Sequence, residues 1–323
     1  MTVTLTLILL GTSKNLFMND KRAQPFWRIY RGRGDLLLLL LPGMLLLLIF
    51  CYLPMIGLIT AFKDFRLNLG ILHSPWNGLD NFSRLFGSPD FPLVIRNTLV
   101  ISVLRLTVGF AAPIILALLI NEVRCKWYSR TIQTVTYLPY FFSWVVLSGI
   151  FLMIFSQRGP INQLLGLTGA SAINFFSDDT WFIITVILTG IWQTVGYGAI
   201  IYLAALSGID PVLYEAAVVD GANRWHRTVH ITLPSLLPTI ITLFILQLGY
   251  ILSAGFDQIY NLYNPTVYDV ADIVDTYVLR RLVSMDFGLA TAAGLFKSVI
   301  GLILVVMANS LARSLSDGEQ GVW

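Results

Sequence analysis

The stretch EAAVVDGANRWHRTVHITLP, Glu215 to Pro234, is a compact polar interruption between two long apolar runs. With the SGIDPVLY that precedes it, the stretch carries the punctuation of a short helix. Asp210 suits the cap, Pro211 the first turn and Gly221 a left-handed exit. About ten residues rising about 1.5 Å each make a helix of about 15 Å, half a hydrocarbon core, so it is expected outside the bilayer. Ala216 and Ala217 keep one patch small enough for a second protein surface to approach closely. Gly221 turns the chain back toward the next apolar run, which Pro234 and Pro238 open. A short rigid helix tied to two spans can carry a push from a partner into a membrane bundle.

The rest of the chain supplies that bundle. It has 323 residues, 56% hydrophobic and 12% charged, too little polar surface to cover a soluble domain. Windows of roughly 20 apolar residues, the length that crosses a bilayer, fall near 36–61, 97–120, 131–155, 181–206, 231–256 and 290–312. The expected fold is therefore an all-α membrane protein of six transmembrane helices. Its expected parts are a cytoplasmic segment 1–34, a transmembrane domain 35–313 with the polar helix and its return at about 210–227, and a cytoplasmic tail 314–323.

Basic residues orient it. Lys14, Lys21, Arg22, Arg28, Arg31, Arg33, Arg124, Lys126, Arg130, Arg224, Arg227 and Arg313 fall on one side; Lys63, Arg66, Arg84, Arg158, Arg280 and Arg281 fall on the other. The positive-inside rule places both termini and the Glu215 segment in the cytoplasm. Trp27, Trp76, Trp127, Trp181 and Trp225 fall near span ends, where amphipathic rings are at home. The apolar start MTVTLTLILLG lacks a positive n-region and is read as neither signal peptide nor span, with Met18 an alternative start. Cys51 and Cys125 suggest packing rather than a disulfide or metal site. The net charge of +3, with no basic–aromatic cluster, gives no support to nucleic-acid binding.

At this point the residues resemble a family. Glu215-Ala216-Ala217, three residues, Gly221, nine residues, then Ile231, Leu233 and Pro234 match the EAA signature of the membrane subunits of ABC importers. The runs at 41–65, 96–124, 137–151 and 294–313 look like the oligosaccharide branch of carbohydrate-uptake permeases, and within it the subgroup that imports large polysaccharide fragments, acidic ones such as alginate included. The resemblance implies the type I importer permease fold in the bacterial inner membrane. It makes the segment a coupling helix bound by an ATPase subunit through Glu215, Ala216, Ala217, Gly221, Ile231, Leu233 and Pro234. Glu215 also fits a plain electrostatic role near a helix N-terminus. The implied partners are a second permease chain, two ATP-binding subunits, a periplasmic or extracellular solute-binding protein, and an oligosaccharide. This chain has no GxxxxGK[ST] segment, so it is expected to be no enzyme and to bind no cofactor, with ATP and magnesium on the partner subunits.

Other signals compete. TVGYG at Thr194–Gly198 is identical to a potassium-channel filter, but it lies inside a continuous apolar run that leads into the capped helix, where glycines serve helix packing. A potassium channel is thus a remote alternative, and a permease of the same family for a non-sugar solute a nearer one. His226 and His230 share an i, i+4 face, but Arg227 stands where a zincin has its glutamate, so no metal is expected.

A sugar path needs hydrogen-bonding groups and flat aromatic faces at membrane depth. Trp144, Trp192, Gln193, Tyr197, Gln247, Tyr250, Lys297 and Asn309 are the candidates, with Lys297 a contact for an acidic sugar; each also fits ordinary bundle packing. Arg105 and Lys297 are charges within spans, which mark function or an internal pair. Asp257, Gln258, Tyr260 and Asn261 open an outer loop that suits a binding-protein dock. Ten acidic residues on the outer face oppose six basic ones, so a polyanion would be delivered rather than steered in.

Overall fold

The computed structural model describes residues 34–315. The expectations for the N-terminal segment, including Met18, Trp27 and its basic residues, and for the tail beyond 315 lie outside the described residues. Among the described residues, five helices are long and apolar enough to cross a membrane: Leu38–Phe62, Phe91–Asn121, Asp179–Ser207, Arg224–Leu248 and Phe287–Ser310. They are the first, second, fourth, fifth and sixth spans.

The third span departs from the sequence reading. Instead of one straight crossing over 131–155, Lys126–Phe141 and Trp144–Ile154 meet at a bend of 105°. Pro139 opens the last tight turn of the first piece, Phe142 and Ser143 are extended, and the Ser143 hydroxyl accepts from the Val146 amide to start the second piece. The carbonyl of Phe142 left over at the break accepts from Nε2 of Gln193 at 3.3 Å. A backbone group freed at membrane depth needs such a partner.

The fifth span also ends early. Its α-helix stops at Leu248 rather than near 256, and a single tight turn at Ile251–Ser253 leads into two left-handed residues, Ala254 at φ 47° and Gly255 at φ 76°.

Prolines explain a third irregularity. Among the described residues the π-helical turns Leu48–Tyr52, Arg105–Gly109 and Thr228–Thr232 each hold the residue four before a proline: Phe50 before Pro54, Gly109 before Pro113, His230 before Pro234. Proline brings no N–H and its ring crowds the carbonyl four residues back, so widening the turn relieves both faults.

Ile101, Phe182, Val186 and Ile259 pack in a cluster that joins the second and fourth spans to Phe256–Leu262. A second cluster, with Leu85, Phe91, Tyr277 and Ala292, joins the helices Asp80–Gly87 and Val274–Val283 to the sixth span. Asn81 is buried there and donates to the carbonyls of Ala61 and Lys63, each at 3.0 Å. The third and fourth spans approach closely at Gly196, where a Cβ would strike the backbone of Thr136. The first span packs on the sixth through Leu53–Phe62, and 11% of its most apolar window is buried within the chain. Cys51 and Cys125 are both free and exposed, so neither packs in a core of this chain.

Candidate functional site

The polar segment folds as its punctuation requires. Its helix runs Pro211–Val219, the Asp210 carboxylate accepts from the Val212 amide at 2.9 Å, and Gly221 takes φ 79°. At the exit the amide of Ala222 returns to the carbonyl of Ala217 at 2.8 Å. Two contacts tie this element to the bundle: the Tyr214 hydroxyl meets Thr232 Oγ1 at 2.9 Å, and Arg224 pairs with Glu122 at 3.5 Å. Glu215, Ala216 and Gly221 are exposed, Ala217, Ile231 and Leu233 partly buried, Pro234 exposed. Val212, Leu213, Val218, Val219 and Trp225 also stand exposed around them. So much apolar surface beside charged residues is the make-up of a docking face.

His226 and His230 stack at 5.9 Å, but Nδ1 of His226 lies 2.9 Å from the Asn223 amide oxygen and Nδ1 of His230 3.0 Å from the His226 carbonyl. Both rings are held by local bonds.

TVGYG lies inside the helix Asp179–Ser207. Its carbonyls are turned along the helix axis rather than ringed around an ion, which removes the filter reading. Gly196 admits the backbone of Thr136 and Gly198 admits the ring of Pro113, so these glycines serve helix approach.

Midway along the second and fourth spans lies a cavity of about 410 Å³ whose third wall is the irregular segment after the fifth span. Non-helical backbone at membrane depth is tolerated where it lines such a space. Of the eight path candidates, Tyr197, Gln247 and Tyr250 line the cavity. Trp144, Trp192, Gln193, Lys297 and Asn309 do not. Trp144 and Trp192 pack on Phe151, Gln193 is occupied at the break of the third span, Asn309 is buried, and the Lys297 ammonium sits 2.6 Å from both oxygens of Asp275. Lys297 therefore offers no free cation to a sugar.

The cavity also holds Ser102, Thr194, Ser253 and Arg105, none of them among the path candidates. Arg105 carried a signal, a charge inside a span four residues before the Gly109–Pro113 pair. The serines and threonine carried none, because small hydroxyl residues are common in transmembrane helices.

In the segment after the fifth span Asp257 and Tyr260 are exposed and Asn261 partly so, whereas Gln258 is fully buried. Its amide donates to the Val186 carbonyl at 2.9 Å and to Thr189 Oγ1 at 2.7 Å, so it presents nothing to a docking protein. Further along, Arg280 pairs with Asp272 at 2.6 Å. Burial first, then Tyr268 and Asp272, push the phenol of Tyr263 up to about 12, which keeps it a neutral donor.

The family model described as "binding-protein-dependent transport system inner membrane component" matches residues 109–317. A polygalacturonan/rhamnogalacturonan transport system permease protein, YteP of Bacillus subtilis, is 43% identical over 310 residues, covering 95% of this chain and 96% of that protein. Protein LplB of the same organism is 46% identical over 87% of this chain and 89% of its own length. Among solved structures, a bacterial ABC transporter involved in import of the acidic polysaccharide alginate superposes with TM-score 0.84 at 42% identity, covering 90% of this chain and 99% of that one. The alginate transporter in complex with its alginate pentasaccharide-bound periplasmic protein gives 0.85 at 40%, covering 92% and 100%.

Proposed function

The chain belongs to the binding-protein-dependent transport system inner membrane components, and from that premise we propose that it is the permease subunit of an ATP-driven importer of acidic oligosaccharides. One observation carries the substrate class. Relatives at 43% and 42% identity over nearly the whole chain are named for polygalacturonan and for alginate, both polymers of uronic acids. ATP hydrolysis falls to partner subunits, where ATP and magnesium bind. A second permease chain completes the passage, and a binding protein delivers the sugar from outside, with Asp257, Tyr260 and Asn261 within its reach.

Pro211–Val219 is the coupling helix in this reading. Glu215 anchors it in a cleft of the ATPase subunit, Ala216, Ala217 and Gly221 set the fit, and Ile231, Leu233 and Pro234 pass the motion into the fifth span. Tyr214–Thr232 and Glu122–Arg224 are the struts that make helix and spans move together. The helix and both termini face the cytoplasm, in keeping with the distribution of basic residues.

The test is ATP hydrolysis by the chain reconstituted with its co-expressed partners and a panel of loaded binding proteins, with Glu215→Ala and Gly221→Arg alongside. One acidic oligosaccharide is expected to stimulate the wild type, and both variants to lose stimulation. Full stimulation in the variants refutes the coupling role, and stimulation by a non-sugar solute alone refutes the substrate class.

A further inference from the structure

Among the described residues, Arg105 and Lys297 lie deep within spans, and the fold treats them differently. Lys297 of the sixth span is neutralised by Asp275 and steadied by Ser253 Oγ at 3.3 Å. Arg105, near the middle of the second span, has no carboxylate within ion-pair distance among the described residues. Its Nη2 donates to the neutral amide oxygen of Gln258, and its Nε is shielded from solvent without a hydrogen-bond partner. Gln258 cannot turn to offer anything else, because Val186 and Thr189 hold its amide nitrogen. A guanidinium left with one neutral acceptor at membrane depth is costly, and such a charge is kept for use.

The surroundings leave room for the missing charge. Arg105 lines the cavity of about 410 Å³ together with Ser102, Thr194, Gln247 and Tyr250, groups that suit sugar hydroxyls. The backbone beneath the guanidinium is bare: a Cβ on Gly255 would collide with it, and one on Gly190 would come within 3.5 Å of Nη2. The π turn that begins at Arg105 sets where its side chain leaves the helix.

We propose that Arg105 reads the carboxylate of a passing uronate unit, which supplies the counter-charge that the chain withholds. The proposal rests on the oligosaccharide-importer reading above and deepens it. A planar guanidinium with donors to spare pairs with a carboxylate through two parallel bonds, an arrangement that a neutral sugar cannot reproduce. The competing role, a strut that holds the left-handed turn through Gln258, would affect acidic and neutral sugars alike.

The experiment therefore measures a ratio. The complete importer complex in nanodiscs, without binding protein, is titrated with labelled trigalacturonate and with its carboxyl-reduced neutral counterpart. Wild type is expected to prefer the acid by at least about tenfold, equivalent to about 1.4 kcal/mol. Arg105→Gln is expected to bring the ratio to about one. Arg105→Lys, which keeps the charge and loses the fork, is expected to keep a smaller preference for the acid. An unchanged ratio in Arg105→Gln, or none in Arg105→Lys, overturns the proposal and leaves the importer reading standing. A wild-type complex that holds neither probe sinks the oligosaccharide reading itself.

Discussion

The Lys297–Asp275 pair offers a measurement whose size follows from its setting. Both carboxylate oxygens lie 2.6 Å from the ammonium, and the side chains are 20% and 24% exposed. Removing one partner of a fully buried pair costs roughly 3–5 kcal/mol, because the other charge is stranded, and the residual exposure here reduces this to about 2 kcal/mol. Lys297→Met strands a carboxylate, and Asp275→Asn leaves the ammonium with Ser253 alone. The double variant strands nothing and should lie within about 1 kcal/mol of wild type. A four-variant cycle, read by tryptophan fluorescence during unfolding in mixed detergent micelles, then yields a coupling of about 3–5 kcal/mol. Additive single effects would mean that the two groups do not sense each other, and the distinction drawn between Lys297 and Arg105 would fall.

Other perturbations test separate features. Gly196→Val drives a side chain into the backbone of Thr136 and should cost about 1–3 kcal/mol, seen as a lower midpoint in thermal unfolding. Asn81→Ala strips the donor from a buried carbonyl, that of Ala61, and a partly buried one, that of Lys63, and should cost about 2 kcal/mol in the same assay. Asp210→Ala removes the cap of the Pro211–Val219 helix, worth about 1 kcal/mol, and should speed hydrogen exchange of the Val212 amide roughly fivefold, leaving that of the fourth span unchanged. Gly255→Ala puts a β-carbon both at φ 76° and against the guanidinium of Arg105, so it should reduce acid preference in the binding assay as Arg105→Gln does.

Where local chemistry alone decides the backbone, the sequence was legible. Asp210, Pro211 and Gly221 fix both ends of a short helix whatever surrounds it, and long apolar runs mark spans by length. Composition is blind to direction, however. Phe142 and Ser143 are as apolar or small as their neighbours, and their extended backbone is stabilised by Gln193, distant in sequence. The early stop at Leu248 is likewise followed by the positive φ of Ala254 and Gly255, the latter pressed by a side chain from another span. Gln258 illustrates the reverse error. A polar residue beside Asp257 and Tyr260 reads as surface, but its position on the helix turns it inward onto Val186 and Thr189.

The first span has a consequence of a different kind. Leu38–Phe62 gains little from its own chain, since lipid tails solvate leucine as well as another helix does. Its attachment gathers at the Phe62 end, where the Thr60 hydroxyl bonds Thr291 at 2.9 Å and Asn81 grips the carbonyls of Ala61 and Lys63. The helix is thus hung like a door from one jamb. Its Leu38 end can sweep an arc through the bilayer at small cost, following whichever neighbour leans on it, while the hinge stays fixed to the sixth span.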